Sequence, residues 1–240
     1  MPVLSDLEPR EVFVWFERLC AIPHGSHHTK AISDYLVAFA RERGLACRQD
    51  AANNVVIRKA ASAGYENAPV VMLQGHIDMV CEKDADCGKD METEGLDLFV
   101  DGDVIGARGT TLGGDDGIAV AMALAVLDAD DIPHGPLECV FTADEEVGMI
   151  GARALDASDL KAKYLINIDS EEEGVLTVSC AGACRTLCTL PVTRAPFDGQ
   201  TLRVRISGLA GGHSGEEIHK GRANANLLLG RALDEMSRAG

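Results

Sequence analysis

The sequence predicts an α/β protein built on a doubly wound mixed sheet, followed by the start of a second, α+β domain. Three observations carry that reading. Short apolar runs alternate with helical periodicities from Pro9 to Asp169. Clusters rich in Asp, Glu and His fall where the apolar runs end. After about residue 185 the pattern gives way to half-exposed alternation. Strand, helix, strand, helix, strand implies parallel strands joined by crossovers, with the chemistry gathered at their C-terminal ends.

Val12, Trp15, Phe16 and Leu19 recur at the spacing of one helical face, and Pro9 suits a first turn. Pro23-His24-Gly25-Ser26 interrupts the pattern. A second helix carries Ile32, Tyr35, Leu36 and Phe39 on one face and stops at Gly44. His24, His27 and His28 read as a solvated loop, because no carboxylate is spaced to join them as a metal ligand. Ala46 to Gln49 and Asn54 to Arg58 read as short strands. Val70 to Leu73 is apolar on both faces, which predicts a central strand covered by helices. Residues 81–109 form a charged, Gly-rich excursion with a hairpin turning at Asp101-Gly102. An apolar helix from Gly117 to Asp128 and buried strands at Leu137 to Thr142 and Leu165 to Ile168 complete the first domain. Beyond it, Thr186 to Val192 and Thr201 to Ser207 alternate like antiparallel strands, and Asn224 to Ser237 is amphipathic.

Composition narrows the function. The formal net charge of −16 disfavours nucleic acid or an anionic membrane as the main partner, since both need a basic patch. No apolar run approaches the roughly 18 residues that span a bilayer. The N-terminus lacks the basic and apolar regions of a signal peptide, so a cytoplasmic location is expected. None of the eight cysteines forms a Cys-x-x-Cys pair, and reduced thiols are the default there. The regular spacing of Cys180, Cys184 and Cys188 is a weak signal for a structural metal.

The informative stretch is Leu73-Gln74-Gly75-His76-Ile77-Asp78, a strand running into His-x-Asp. Alternate strand residues share a face, so His76 and Asp78 point together, as a metal ligand and an orienting partner do. Gly109-Thr110-Thr111-Leu112-Gly113-Gly114-Asp115-Asp116-Gly117 precedes the apolar helix. It lacks a Gly-Lys-Ser/Thr ending, and its two Asp would repel a phosphate. Thr142-Ala143-Asp144-Glu145-Glu146-Val147-Gly148 and Asn167-Ile168-Asp169 lie at further strand ends. Carboxylates crowded in this way raise one another's pKa values, and cations relieve the crowding. One His and several carboxylates at the top of one sheet suggest two divalent ions about 3.5–4 Å apart. Mixed nitrogen and oxygen ligands suit zinc, with manganese or cobalt as alternatives.

Taken in order, His76-Ile77-Asp78, Thr111 to Gly117, Asp144 to Gly148 and Asp169-Ser170-Glu171-Glu172-Glu173-Gly174 resemble the aminoacyl-histidine dipeptidases. These are also called Xaa-His or cytosolic non-specific dipeptidases, and they belong to the superfamily of two-zinc aminoacylases and carboxypeptidases. Gly211-Gly212-His213-Ser214-Gly215 and Lys220 to Ala225 resemble the family's second-domain motifs. The resemblance implies that Asp115 bridges two zinc ions, with His76 and Asp169 on one and Glu146 on the other. It assigns Asp78 to orienting His76, Glu145 to general-base duty, and His213 to holding the substrate and its developing oxyanion. It also implies a cis Asp115–Asp116 peptide, dipeptide substrates, and a homodimer of the complete protein. Asp116 stands where close relatives often carry Asn. Family members are considerably longer and take a last His ligand from a returning C-terminal part. Residues 1–185 are therefore expected to be the N-terminal part of a di-zinc catalytic domain, and 186–240 the beginning of a lid and dimerisation domain. The alternatives are an aminotripeptidase, an acylamino-acid hydrolase, or a non-catalytic metal-binding scaffold.

Overall fold

Apolar periodicity places the elements close to where the sequence predicts them. In chain order they are α1 (Arg10–Cys20), α2 (Lys30–Glu42), β1 (Ala46–Gln49), β2 (Val55–Lys59), β3 (Val71–His76), β4 (Leu98–Asp101), β5 (Val104–Ala107), α3 (Gly114–Asp128), β6 (Leu137–Thr142), α4 (Ile150–Ala154), β7 (Tyr164–Asn167) and α5 (Ala225–Arg238). The structure is a computed structural model that describes residues 2–170, 172–180, 182, 186–212 and 217–239. Contacts divide the chain into two units, Met1–Cys180 and Ala181–Gly240.

In the first unit the strands form a mixed sheet of order β1-β2-β6-β3-β7, with β4 and β5 as a separate ribbon. β1, β2 and β6 are antiparallel neighbours, whereas β6, β3 and β7 run parallel. Alternate residues feed two cores, because successive strand side chains face opposite ways. Val55, Ile57, Cys139 and Phe141 pack with α1, α2 and α3. Val56, Met72 and Val140 face the other way, against Leu155, Leu160 and Ala162. The α3 crossover therefore covers one face and the segment after α4 the other, the doubly wound arrangement. Glu138 anchors that second face. Its buried carboxylate accepts from Arg58 Nε at 3.0 Å and from the N–H groups of Lys161 and Ala162 at 2.8 and 2.9 Å.

Two sequence expectations need correction. β7 is a strand, but all four of its residues are exposed rather than buried. It pairs only with β3, and among the described residues no layer covers it. Thr186 to Val192 and Thr201 to Ser207 form no strand. Alternation supplies half of what a strand needs, and two isolated segments without a third partner and an apolar face are at best marginal as sheet. In the second unit the amphipathic helix is present as α5. Asn224 caps it, with Oδ1 accepting from the N–H groups of Asn226 at 2.9 Å and Leu227 at 3.1 Å. Among the described residues no helix is long and apolar enough to cross a membrane.

The end of β6 is locked to the start of α4. Asn54 Oδ1 accepts from Ala143 N–H at 3.0 Å, and its amide donates to Gly151 O at 2.9 Å and to Asp50 Oδ2 at 2.7 Å. A side chain on Gly151 would press on Ala143 and Asn54, with its Cβ 2.7 Å from Ala143 N. Backbone cannot yield there as a flexible side chain would, so Gly151→Ala is expected to cost about 1–3 kcal/mol, as overpacking does. A urea midpoint equal to that of the parent protein would contradict this packing.

Candidate functional site

Every polar cluster of the first unit meets at the C-terminal ends of the parallel strands. From β3 the chain runs over one face to β6, then over the other face to β7 on the far side of β3. The β3-to-β6 and β6-to-β7 connections run in opposite directions across the sheet, which opens a crevice at the strand ends, the usual ligand position in an open α/β sheet. β3 delivers His76, and Asp78 follows it. The turn after β6 delivers Glu145 and Glu146, the residue after Ile168 is Asp169, and the start of α3 supplies Asp115 and Asp116.

His76 and Asp78 are each 1% exposed. His76 Nδ1 lies 2.9 Å from the main-chain carbonyl of Asp78 and 3.4 Å from its carboxylate. As an imidazolium it donates from Nδ1 to that carbonyl and from Nε2 to Asp115 Oδ1 at 2.9 Å; when Nε2 gives up its proton, its lone pair faces the crevice while Nδ1–H keeps the ring in place. The Asp78 carboxylate has further work. Oδ1 accepts from Glu145 N–H at 2.9 Å, and Oδ2 accepts from Glu146 N–H at 3.3 Å and from the Ser26 hydroxyl at 2.8 Å.

The α3 start is irregular where the acids lie. Gly113 has φ +67°, Asp115 and Asp116 depart from helical dihedrals, and the peptide between them is cis, as the family resemblance implies. Asp116 is buried and accepts from His76 N–H at 3.1 Å. That approach requires a glycine on β3, because a Cβ at Gly75 would stand 2.7 Å from Asp116 Oδ2.

Two sets of donor atoms result, each within a 4.8 Å span: His76, Asp115 and Glu146, and His76, Asp116 and Asp169. All four metal ligands expected from the sequence are thus brought together, and Asp116 joins them. Asp116, Ser26 and Asn54 were not among the sequence candidates. Asp116 had one signal, its place beside Asp115. Ser26 had none beyond lying in a loop, and Asn54 none beyond opening a short strand. His213 lies outside the described residues, as does Cys184 of the spaced cysteines; the other seven cysteines are free thiols. His24 departs from the solvated loop expected of it. It is buried, with Nδ1 2.6 Å from Ile22 O, and burial lowers its pKa.

The charges show what the site lacks. Burial opposes a proton on His76, yet hydrogen bonds to Asp115 and Asp78 and the nearby Asp116 charge outweigh it and push the imidazole up to about 11. Burial, with repulsion from Asp169 and Asp115, pushes Asp116 up to about 8 despite the attraction of His76. Glu145 and Glu146 are also raised, chiefly by burial and then by neighbouring carboxylates. Asp78 is the exception. Burial works against its charge, but His76, the Glu145 N–H and Ser26 hold its carboxyl below the usual range. An imidazole nitrogen and several oxygens, crowded until they must take up protons, are the donor set of a divalent cation. The residues fit a metal.

A mixed α/β sheet with this cluster at its switch point defines the class: a metal-dependent hydrolase fold. The chain belongs to Peptidase family M20/M25/M40, a metallopeptidase family whose profile matches residues 72–225, more than half of the sequence. It is 44% identical over 235 residues to the cytosol non-specific dipeptidase of Escherichia coli K12, covering 97% of this chain and 48% of that protein. The crystal structure of aminoacylhistidine dipeptidase from Vibrio alginolyticus superposes with a TM-score of 0.71 at 38% identity, over 96% of this chain and 47% of that one. A tripeptidase from Staphylococcus aureus matches with a TM-score of 0.58 at 26% identity, over 69% of this chain and 44% of that one. The chain spans about half the length of these relatives.

The shifted groups fix a pH dependence. His76 in the folded, metal-free protein holds its proton to about 11 against 6.5 unfolded, and Asp116 to about 8 against 3.8. The folded state binds more protons than the unfolded one between those values, so this stability is present at low pH and is lost as pH rises. Chelated protein is expected to melt lower at pH 8 than at pH 6.5. Added zinc, which needs deprotonated ligands, should raise the melting temperature more at the higher pH. A metal-free melting temperature that climbs across this window in calorimetry would contradict the crowded cluster.

Proposed function

We propose that this chain carries most of the active site of a dipeptidase that uses two zinc ions. The observation that supports it most is the convergence of His76, Asp115, Asp116, Glu146 and Asp169 around one crevice, with Glu145 suspended beside them from Asp78. His76 and Asp169 would hold one ion and Glu146 the other, with Asp115 shared between them; His76 lies within reach of both donor groups. When bound, such ions polarise the scissile carbonyl and lower the pKa of a water. Manganese or cobalt would meet the same donor set.

Glu145 is the general base of this reading. Its raised pKa suits a group that must take a proton from water and later give it to the leaving amine. Asp78 holds the Glu145 main chain, and its own charge, secured by hydrogen bonds, stays ionised while the neighbouring carboxyls change state. His76 is held by the Asp78 carbonyl with one nitrogen facing the crevice. His213, from the Gly-Gly-His-Ser-Gly motif, is assigned to the developing oxyanion by the family resemblance.

Dipeptides, including Xaa-His, are the proposed substrates, because the relatives matched over nearly the whole chain are named dipeptidases. The homodimer of the complete protein, its assembly through residues 186–240 and its cytoplasmic location belong to the same proposal; one relative is named for the cytosol. The tripeptidase likeness is weaker, and turnover of a dipeptide, a tripeptide and an N-acetyl amino acid separates the alternatives.

Glu145→Gln is expected to keep its zinc and to lose turnover by about 10²–10⁴-fold, the usual contribution of a general base. Elemental analysis with a dipeptide hydrolysis assay checks both, in the longest natural form of the protein. Retained turnover would remove Glu145 from the role, and lost zinc would place it among the ligands. Asp115→Asn should lower the zinc content per chain, and parent-like content would argue against a shared ligand.

A further inference from the structure

The loop between α1 and α2 is hydrogen-bonded both to the segment leaving β3 and to the turn after β6. Gly25 pairs with Met79 in an isolated bridge, Ser26 N–H donates to Met79 O at 3.2 Å, and Met79 N–H donates to His24 O at 3.2 Å. Those bonds fix the loop against the segment leaving β3. A Cβ on Gly25 would stand 2.6 Å from Cys81 Sγ, so the approach is close. Two residues on, His27 N–H donates to Asp144 Oδ1 at 2.7 Å, at the turn that carries Glu145 and Glu146. His27 and Asp144 both have positive φ, at 68° and 55°. Non-glycine residues keep such angles where the surroundings over-determine them.

Between these ties stands Ser26. Its hydroxyl donates to Asp78 Oδ2 at 2.8 Å, while Asp78 Oδ1 receives Glu145 N–H at 2.9 Å and Oδ2 also receives Glu146 N–H at 3.3 Å. A carboxylate can rotate about its last bond unless its oxygens are distinguished. Here Ser26 distinguishes them by taking one side of Oδ2. Asp78 is buried, so losing a donor leaves its charge under-satisfied.

We propose that Ser26 is a positioning residue: its hydroxyl fixes the Asp78 carboxylate, and Asp78 in turn fixes the main chain that aims Glu145. The inference rests on the reading of Glu145 as general base for its consequence in turnover, but its structural half is independent of that reading. Ser26 touches neither substrate nor metal donor in this scheme. Its loss should therefore lower kcat while leaving KM unchanged and metal content within twofold, since the Glu146 N–H stays on Asp78 Oδ2.

The test compares the parent with Ser26→Ala and Ser26→Thr in the longest natural form of the protein. Zinc per chain, melting temperature, kcat and KM on a dipeptide, and amide exchange of residues 143–149 are measured for each. Ser26→Ala is expected to reduce kcat about tenfold, with KM and zinc content within twofold of the parent. Amide exchange at 143–149 should rise several-fold, while exchange in β6 stays at parental rates. Ser26→Thr, which restores the hydroxyl, should recover both readouts. Parental kcat and parental exchange in Ser26→Ala would overturn the proposal, as would a loss of zinc large enough to explain the fall in kcat. Should the parent hydrolyse no peptide, the dipeptidase reading fails; the exchange readout still decides whether Ser26 holds the Glu145 turn.

Discussion

The constraint on which the structure depends is the crowding of like charges at the ends of β3, β6 and β7. Asp115, Asp116, Glu145, Glu146 and Asp169 share one crevice with the imidazole of His76, and burial raises several of their pKa values. Two unit charges 4 Å apart repel by about 4 kcal/mol at an effective dielectric of 20. Domains of this size are stable by about 5–15 kcal/mol, so a few such pairs rival the whole margin. Protons or cations relieve that repulsion. Asp78 shows the contrast. It lies in the same crevice, yet its charge is secured by a hydroxyl, two main-chain N–H groups and His76, so it needs no cation. The distinction between ligand and scaffold carboxylates lies in their hydrogen-bond partners and not in their residue type.

Topology explains why so many acids can be gathered without wrecking the core. The β3-α3-β6 and β6-α4-β7 connections run in opposite directions across the sheet and cover opposite faces. The apolar residues of each strand are spent on those two faces, and the polar ones follow at the ends. The register is tight enough that a single missing Cβ matters: Gly75 admits Asp116 to the edge of β3, and Gly151 lets α4 begin against Ala143. Larger side chains at either point would move an acid or the turn that carries one, and the cluster tolerates little movement.

Much of this was legible in the sequence, and the limits follow from the physics. β3, α3 and β6 could be read because their apolar runs are long and bounded by glycine or acids, and His76, Asp115, Glu146 and Asp169 stood out because acids at strand ends are costly without a purpose. β7 read as buried because composition records side-chain polarity and not what covers it. Thr186 to Val192 and Thr201 to Ser207 show alternation without strand pairing, since pairing is a property of two segments and periodicity of one. His24 looked solvated because its burial arises from Met79 and Cys81 folding over the loop, a long-range contact that local pattern cannot carry. Ser26 was invisible for the same reason: its partner Asp78 is 52 residues away.

That distance bears on how the site is kept in order. On the proposed reading the base is aimed through a hydrogen bond from its own main chain to Asp78, and the turn after β6 is held from three directions: by Asp78 through Glu145 N–H, by His27 through Asp144, and by Asn54 through Ala143 N–H. Main-chain ties of this kind leave the Glu145 side chain free to move between taking a proton and giving it up, while the residue's origin stays fixed. A base clamped through its carboxylate would have its lone pairs occupied and its pKa lowered, as Asp78 does. The arrangement separates two demands that oppose each other in one side chain, rigid placement and free protonation. It does so by giving the first to the buried Asp78 and leaving the second to Glu145.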